Sequence, residues 1–412
     1  MIRSDAHVLI LGAGQAGGTA AALLRQYGFE GTVTLVGEEL IAPYHRPPLS
    51  KARLGNGPGA AALPLRPEEF YAQHGIDIRL GVRAEKLSRQ NKAVHLSMGE
   101  VLTYDFLIIA TGARPIKLPV PGSDLAGVLA LRTADDAERL SAVIRSGQRL
   151  VIIGGGYIGL EVAASARALG AEVLVIERET RLLARVASLD LSAFFLDYHR
   201  ERGVSFELGA AVSGFDGQDG RVSGVKLDDG RTIACAAALI GIGATPNDEI
   251  ARDAGLDTSC GVIVDPEART ADPAIFAIGD VALRPMPIYH RMFRMESVPN
   301  TLEQAKQVAS AIVGRAPPPV EVPWQWSDQY DLKLQIAGYA FDVDRVLLRG
   351  DLATAKFAVF HLRGDQVQCV EALNSPQDFI IGKQLIASRK SVDLNKLGDP
   401  SIDLKEIAEI AA

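Results

Sequence analysis

The chain has 412 residues, with 43 Lys and Arg against 50 Asp and Glu, a formal net charge of −7. That length exceeds one ordinary core and predicts two or three domains, while the acidic balance argues against nucleic acid as a general partner. No run approaches the roughly 20 apolar residues of a membrane span and no signal peptide precedes the first strand, so a cytoplasmic location is expected. Cys235, Cys260 and Cys369 lie far apart without CxxC spacing, and neither a redox disulfide nor a sequence-local metal site is expected.

In chain order, His7 to Leu11 reads as a buried parallel strand, followed by Gly12-Ala13-Gly14-Gln15-Ala16-Gly17 and a small-residue helix reaching Leu24. In such a fingerprint the first glycine permits the tight turn, the second lets the backbone approach a pyrophosphate and the third lets the helix pack on the strand. The free N–H groups of the helix start then face the phosphates. Thr32 to Val36 is the next strand, and Glu38, 21 residues beyond Gly17, stands where an acid takes the adenosine ribose hydroxyls. Residues 41–63 are rich in proline and glycine. A further buried strand, Phe106 to Ile109, runs into Ala110-Thr111-Gly112, and Pro115, Pro119 and Pro121 mark a crossover between domains.

The pattern then repeats. Leu150 to Ile153 is a strand, Gly154-Gly155-Gly156-Tyr157-Ile158-Gly159 a second fingerprint, Leu160 to Leu169 a helix and Glu172 to Ile176 a strand ending at Glu177, 18 residues beyond Gly159. A carboxylate there accepts a ribose 2′-OH and repels a 2′-phosphate, so NADH is expected over NADPH, with Arg178 and Arg181 nearby moderating that preference. A β-rich stretch near Val222 to Leu239 returns through Gly241-Ile242-Gly243 to Pro246-Asn247. Ile275 to Ile278 predicts a strand ending at Gly279-Asp280, and Asn300 with Glu303 predicts the cap and its partner for a helix reaching Val313. After Pro317-Pro318-Pro319, alternation over 333–336, 345–348 and 357–362 predicts strands of a smaller third domain.

Both fingerprints, Pro43-Tyr44-His45-Arg46-Pro47-Pro48-Leu49-Ser50-Lys51, Ala110-Thr111-Gly112, Gly279-Asp280, Glu296-Ser297-Val298-Pro299-Asn300 and Pro323-Trp324-Gln325-Trp326-Ser327-Asp328-Gln329-Tyr330 span essentially the whole chain. In this combination it resembles the FAD-dependent ferredoxin reductases of oxygenase and cytochrome P450 electron-transfer chains. The resemblance implies an α/β fold of the glutathione-reductase type, with two Rossmann-like dinucleotide-binding domains, one inserted in the other, and a C-terminal α+β domain. FAD would occupy 1–115 with 245–321, NADH 116–244, and residues 322–412 would cover the flavin and help shape the ferredoxin-docking face. The implied enzyme is an NADH:ferredoxin oxidoreductase: FAD takes a hydride from NADH and passes single electrons to a [2Fe-2S] ferredoxin.

Carried over residue by residue, FAD would meet Gly12, Gly14, Gly17, Glu38, Arg46, Lys51, Ala110, Thr111, Gly112, Asp280, Val298 and Trp326. NAD would meet Gly154, Gly156, Tyr157, Ile158, Gly159, Glu177 and Gly243. Lys51 resembles the lysine close to the reactive ring, Glu161 the acid that pairs with it, and Tyr157 the aromatic that shields the flavin and yields to nicotinamide. Asp280 would accept a ribityl hydroxyl, and the helix after Pro299 would point its positive end at the flavin. Trp324 is expected to pack, and His45, where relatives often carry an acid, is expected to be a loop residue. An acidic ferredoxin needs a local positive face, for which Arg291 and Arg294 are the leading candidates, then Lys333 and Lys405. A rubredoxin reductase or NADH oxidase on the same fold, or a redox-sensing interaction protein like the apoptosis-inducing flavoproteins, remain alternatives. The absence of cysteine from Tyr44 to Lys51 counts against cysteine-based peroxidase or oxidase chemistry.

Overall fold

The computed structural model describes residues 5–55 and 61–410. Packing divides the chain into two compact units, the first made of residues 1–45, 63–114 and 244–321. Its centre is a parallel sheet in the order Ile275–Ala277, Phe106–Ile109, His7–Leu11, Thr32–Gly37, Ile76–Leu80. Both faces are covered, which is why its inner strands are continuous apolar runs rather than alternating ones. Val8 and Ile10 face Ala20, Leu24, Ala305 and Val308 on the helices Gln15–Gln26 and Val298–Val313. Leu9 and Leu11 point the other way, into a layer with Leu87, Val94 and Leu96.

The second unit comprises residues 46–62, 115–243 and 322–412. It contains a second parallel sheet, ordered Val204–Leu208, Glu172–Glu177, Arg149–Ile153, Ala237–Ile240, Val128–Leu129. It also contains an antiparallel sheet, ordered Trp324–Gln329, Leu332–Gly338, Gln366–Leu373, Lys356–Arg363, Arg345–Asp351. One apolar core joins the two: Leu160, Leu182, Leu191 and Phe195 from the inserted fold pack with Leu332, Leu334, Phe357 and Leu373 from the C-terminal strands. The Pro-rich segment is pinned to this same unit. Arg46 donates to the Arg132 carbonyl, Arg53 pairs with Glu138 at 2.5 Å, and Ser165 Oγ donates to the Ser50 carbonyl at 2.8 Å.

The predicted cap of the Val298–Val313 helix is displaced. Ser297, not Asn300, is the cap, its Oγ accepting from the Asn300 N–H at 3.3 Å. Pro299 is compatible with the earlier start: it sits in the first helical turn, where its missing N–H costs no intrahelical bond. Asn300 and Glu303 lie inside the helix, where they receive the buried Arg284. Its guanidinium donates to both Glu303 oxygens and to Asn300 Oδ1, each at 3.0 Å.

Candidate cofactor sites and a buried lysine–glutamate centre

In the first unit Gly12 has φ +116°, and a Cβ there would lie 2.2 Å from the Ala110 carbonyl oxygen. A Cβ on Gly17 would lie 2.0 Å from the Gly12 carbonyl oxygen, so helix and strand meet at backbone contact. The Gln15–Gln26 helix begins at Gly14 without a side-chain cap, leaving its first N–H groups for a ligand. Ala110 is tied to this strand through its N–H and the Leu11 carbonyl at 2.7 Å. Thr111 and Asn247 exchange hydrogen bonds at 2.7 and 2.9 Å, which fixes the turn through Gly112.

Gly279 donates its N–H to Gln304 Oε1 at 2.6 Å, and a Cβ on Gly279 would meet Ala16 Cβ at 2.9 Å. The turn carrying the half-buried Asp280 therefore presses against the start of the fingerprint helix, with Val298 at the first turn of the neighbouring one. Gln15 Oε1 and Gln304 Nε2 are buried there without protein partners. Such orphaned groups are costly unless a bound polar molecule satisfies them, which fits a dinucleotide at this place. Glu38 is exposed just beyond its strand.

The second fingerprint has the same frame, with one informative difference among its glycines. Gly154 has φ +111° and a Cβ on it would sit 2.4 Å from the Gly241 carbonyl oxygen, whereas a Cβ on Gly159 would sit 2.2 Å from the Gly154 oxygen. Gly156 has an ordinary φ of −83°, and its Cβ would meet nothing within 4 Å. Nothing in the protein requires glycine at that position. The open space lies at the uncapped start of the Tyr157–Ala168 helix, where a pyrophosphate would sit. Ile158 is exposed, and Gly243 has φ +118°, with Ile116 Cδ1 3.4 Å from where a Cβ would stand.

Glu177 is half-buried and grips the fingerprint loop, accepting from the Gly155 N–H at 2.7 Å and from the Glu179 N–H at 2.8 Å. Arg181 is occupied with backbone carbonyls of Ala184 and Ala187 at 2.7 and 3.0 Å, and Arg178 extends into solvent beside Glu179. Tyr157 opens the helix and packs on the C-terminal core. Burial raises its phenol well above the usual range, with Glu371, Cys369 and Tyr339 adding to the effect.

Lys51 and Glu161, 110 residues apart in sequence, form an ion pair at 2.6 Å, with the carboxylate 3% exposed and the lysine 21% exposed. Glu161 also accepts from Ser50 Oγ at 2.5 Å and from Ser327 Oγ at 2.6 Å. Ser327 in turn accepts from Gln329 Nε2 at 3.1 Å, and Gln329 Oε1 faces His199 Nε2 at 2.8 Å. Sequence reasoning missed Ser50, Ser327, Gln329 and His199. Ser327 and Gln329 carried a faint signal, because two polar residues at strand spacing share one face, and that face is buried.

Burial pushes the His199 imidazole down to about 4, with Arg202 lowering it further and the bond to Gln329 opposing. The unfolded histidine binds its proton near 6.5 while the folded one does not, so the stability it contributes is complete above that pH and is lost as pH falls toward about 4. The expected loss is roughly 3 kcal/mol. Urea unfolding at a series of pH values checks this: the acid-side loss should be visibly smaller in His199→Phe than in the parent chain.

The other face of the Trp324–Gln329 strand carries Trp324 and Trp326, whose rings lie 5.7 Å apart, with Trp324 edge-on to Phe379 at 5.5 Å. Trp324 is thus a packing residue, and Trp326 is half-buried beside it. Of the docking candidates, Arg291, Lys333 and Lys405 are exposed. Arg294 is not a surface cation: its side chain is 17% exposed, pairs with Glu296 at 2.6 Å and donates to the Asp280 carbonyl at 3.0 Å. It braces the Asp280 turn.

Comparison with known proteins accords with this arrangement. Residues 6–305 match the family model of pyridine nucleotide-disulphide oxidoreductases, and residues 324–408 match a reductase C-terminal model. The chain is 47% identical over 408 residues to a probable ferredoxin reductase, CtmF, of Castellaniella defragrans, covering 99% of this chain and 100% of that one. It is 40% identical over 415 residues to putidaredoxin reductase CamA of Pseudomonas putida, covering 100% and 98%. The solved covalent complex of putidaredoxin reductase with putidaredoxin superposes with a TM-score of 0.96 at 40% identity, covering 99% of both chains.

Proposed function

The chain belongs to the pyridine nucleotide-disulphide oxidoreductase family, and from that premise we propose that it is an FAD-dependent NADH:ferredoxin oxidoreductase feeding a cytochrome P450 or related oxygenase. The observation that carries the reading is the presence of two glycine-rich strand–turn–helix cradles in a chain whose cysteines form no pair. Cys235, Cys260 and Cys369 are all unpaired. Burial raises the Cys235 thiol to about 11 and lifts the Cys369 thiol well above its usual value, so neither supplies a thiolate near neutral pH. Electrons that enter from NADH would then leave to an external carrier. When bound, FAD would supply the link, able to take two electrons together from NADH and to release them singly to an iron–sulfur protein.

The protein's part is to hold and orient. The start of the Gln15–Gln26 helix, Glu38, the Ala110-Thr111-Gly112 turn, Asp280 and Val298 would hold FAD. The Gly156 opening and Glu177 would hold NADH, with Tyr157 at the mouth. Lys51 and Arg46 act on the flavin side, and Glu161 fixes the lysine. The exposed Arg291 in the first unit, and Lys333 and Lys405 in the second, would each attract an acidic ferredoxin. Among the described residues no helix is long and apolar enough to cross a membrane, and we place the enzyme in the cytoplasm with its soluble electron donor.

Purified protein should carry FAD and reduce a [2Fe-2S] ferredoxin rapidly with NADH and slowly with NADPH. Reduction of rubredoxin alone would reassign the partner, and rapid oxygen consumption without a carrier would make it an oxidase. Slow turnover with every acceptor, together with a long-lived reduced-flavin complex with NAD, would favour a sensor. Glu177→Ser should lower kcat/KM for NADH about tenfold and narrow its advantage over NADPH, because it removes both the ribose acceptor and the charge that repels a 2′-phosphate. Steady-state kinetics with both nucleotides checks this.

A further inference from the structure

We propose that Ser327, Gln329 and His199 form a directional hydrogen-bond line whose task is to position the Glu161 carboxylate against Lys51. The inference rests on the reading of Lys51 as the flavin-side lysine and adds three positioning residues behind it.

The direction follows from which atoms can donate. His199 is fully buried and its proton affinity is low, so it is neutral at working pH and carries one N–H. Gln329 presents its oxygen to His199 Nε2 at 2.8 Å, so that nitrogen bears the hydrogen. Nδ1 then faces the Tyr330 hydroxyl at 3.5 Å. With its oxygen taken, Gln329 turns its amide N–H to Ser327 Oγ at 3.1 Å. Ser327 now accepts from Gln329, and its single hydrogen goes to Glu161 Oε1 at 2.6 Å. Every donor in the line points toward the carboxylate.

At Glu161 this line meets two other donors. Ser50 Oγ at 2.5 Å and Lys51 Nζ at 2.6 Å both contact Oε2, while Ser327 holds Oε1. A carboxylate held through both oxygens cannot rotate to release the lysine. Its hydrogen bonds are charge-assisted and shielded from water, where such bonds are strongest. The line also ties together side chains from four elements. His199 lies on the Leu189–Glu201 helix, Gln329 and Ser327 on the first C-terminal strand, Glu161 on the fingerprint helix and Lys51 on the Pro-rich segment.

The test is anaerobic stopped-flow reduction of the FAD-loaded protein by NADH, paired with acetylation of Lys51 in the same holoprotein, read by mass spectrometry. Ser327→Ala should slow flavin reduction about tenfold at saturating NADH with unchanged nucleotide affinity, the effect of losing one hydrogen bond to a charged group. Ser327→Thr, which keeps the hydroxyl, should restore most of the rate. Gln329→Leu and His199→Phe should give smaller losses of the same kind, and Lys51 should acetylate severalfold faster in all three. In a Glu161→Gln background Ser327→Ala should add nothing further. Normal flavin reduction and unchanged acetylation in Ser327→Ala, or an equal slowing in the Glu161→Gln background, would overturn the proposal. If Ser327→Ala does not fold, Gln329→Leu, which leaves the serine in place, decides by the same two readouts. Should the parent protein's flavin resist NADH altogether, the functional reading fails, while acetylation still reports on the line.

Discussion

Gly156→Ala is expected to raise the KM for NADH at least tenfold while leaving the melting temperature nearly unchanged, whereas Gly154→Ala, two residues away, should cost the second unit its stability. The two glycines have different reasons. Gly154 combines φ +111° with a would-be Cβ 2.4 Å from the Gly241 carbonyl oxygen, so alanine there demands a backbone shift in a buried sheet. Strain of that kind costs about 3 kcal/mol or more. Gly156 has ordinary backbone angles and empty space around its would-be Cβ. An added methyl disturbs nothing in the protein and intrudes only on what binds at the helix start. The measurements are thermal unfolding and steady-state kinetics on both variants. Equal loss of stability in the two, or an unaltered KM in Gly156→Ala, would show that the open space is not a nucleotide cradle.

Glu303→Ala should destabilise the first unit by roughly 3–5 kcal/mol, the penalty for stranding a buried guanidinium. Arg284 and Glu303 have side chains only 8% and 10% exposed, and the pair fastens the Val298–Val313 helix to the Ala282–Met286 strand. Gln307 and the Glu321 N–H also reach Glu303, at 3.3 and 3.4 Å, so the carboxylate organises the segment leaving that helix. Replacing both partners, as in Arg284→Met with Glu303→Leu, should recover most of the loss because no buried charge is left unpaired. Flavin release on heating and circular dichroism follow the outcome. A double variant as unstable as Glu303→Ala would mean that the ion pair has a role apolar packing cannot replace.

The sheets were legible because their strands are buried on both faces, so unbroken apolar runs such as Val8 to Leu11 and Leu150 to Ile153 have few alternatives. The glycine fingerprints were legible for a similar reason: each glycine answers a local demand of turn, approach or packing. The Val298–Val313 helix was placed three residues late because Asn300 and Glu303 imitate a cap in sequence, and only Arg284, brought in from another strand, shows their use. Arg294 was misjudged alike, since charge in a sequence does not reveal a partner such as Glu296 or a carbonyl such as that of Asp280.

Local pattern by itself therefore determined the strands, the two glycine-rich turns and the acids at the ends of their second strands. These depend on neighbours a few residues away, where backbone geometry and side-chain period act directly. Tertiary structure alone decided which distant polar groups meet. The joining of Lys51 and Ser50 to Glu161, and of Glu161 through Ser327 and Gln329 to His199, gathers residues from four separate elements. Each is an ordinary polar side chain in sequence, and its significance arises when burial removes water and leaves the others as its only partners.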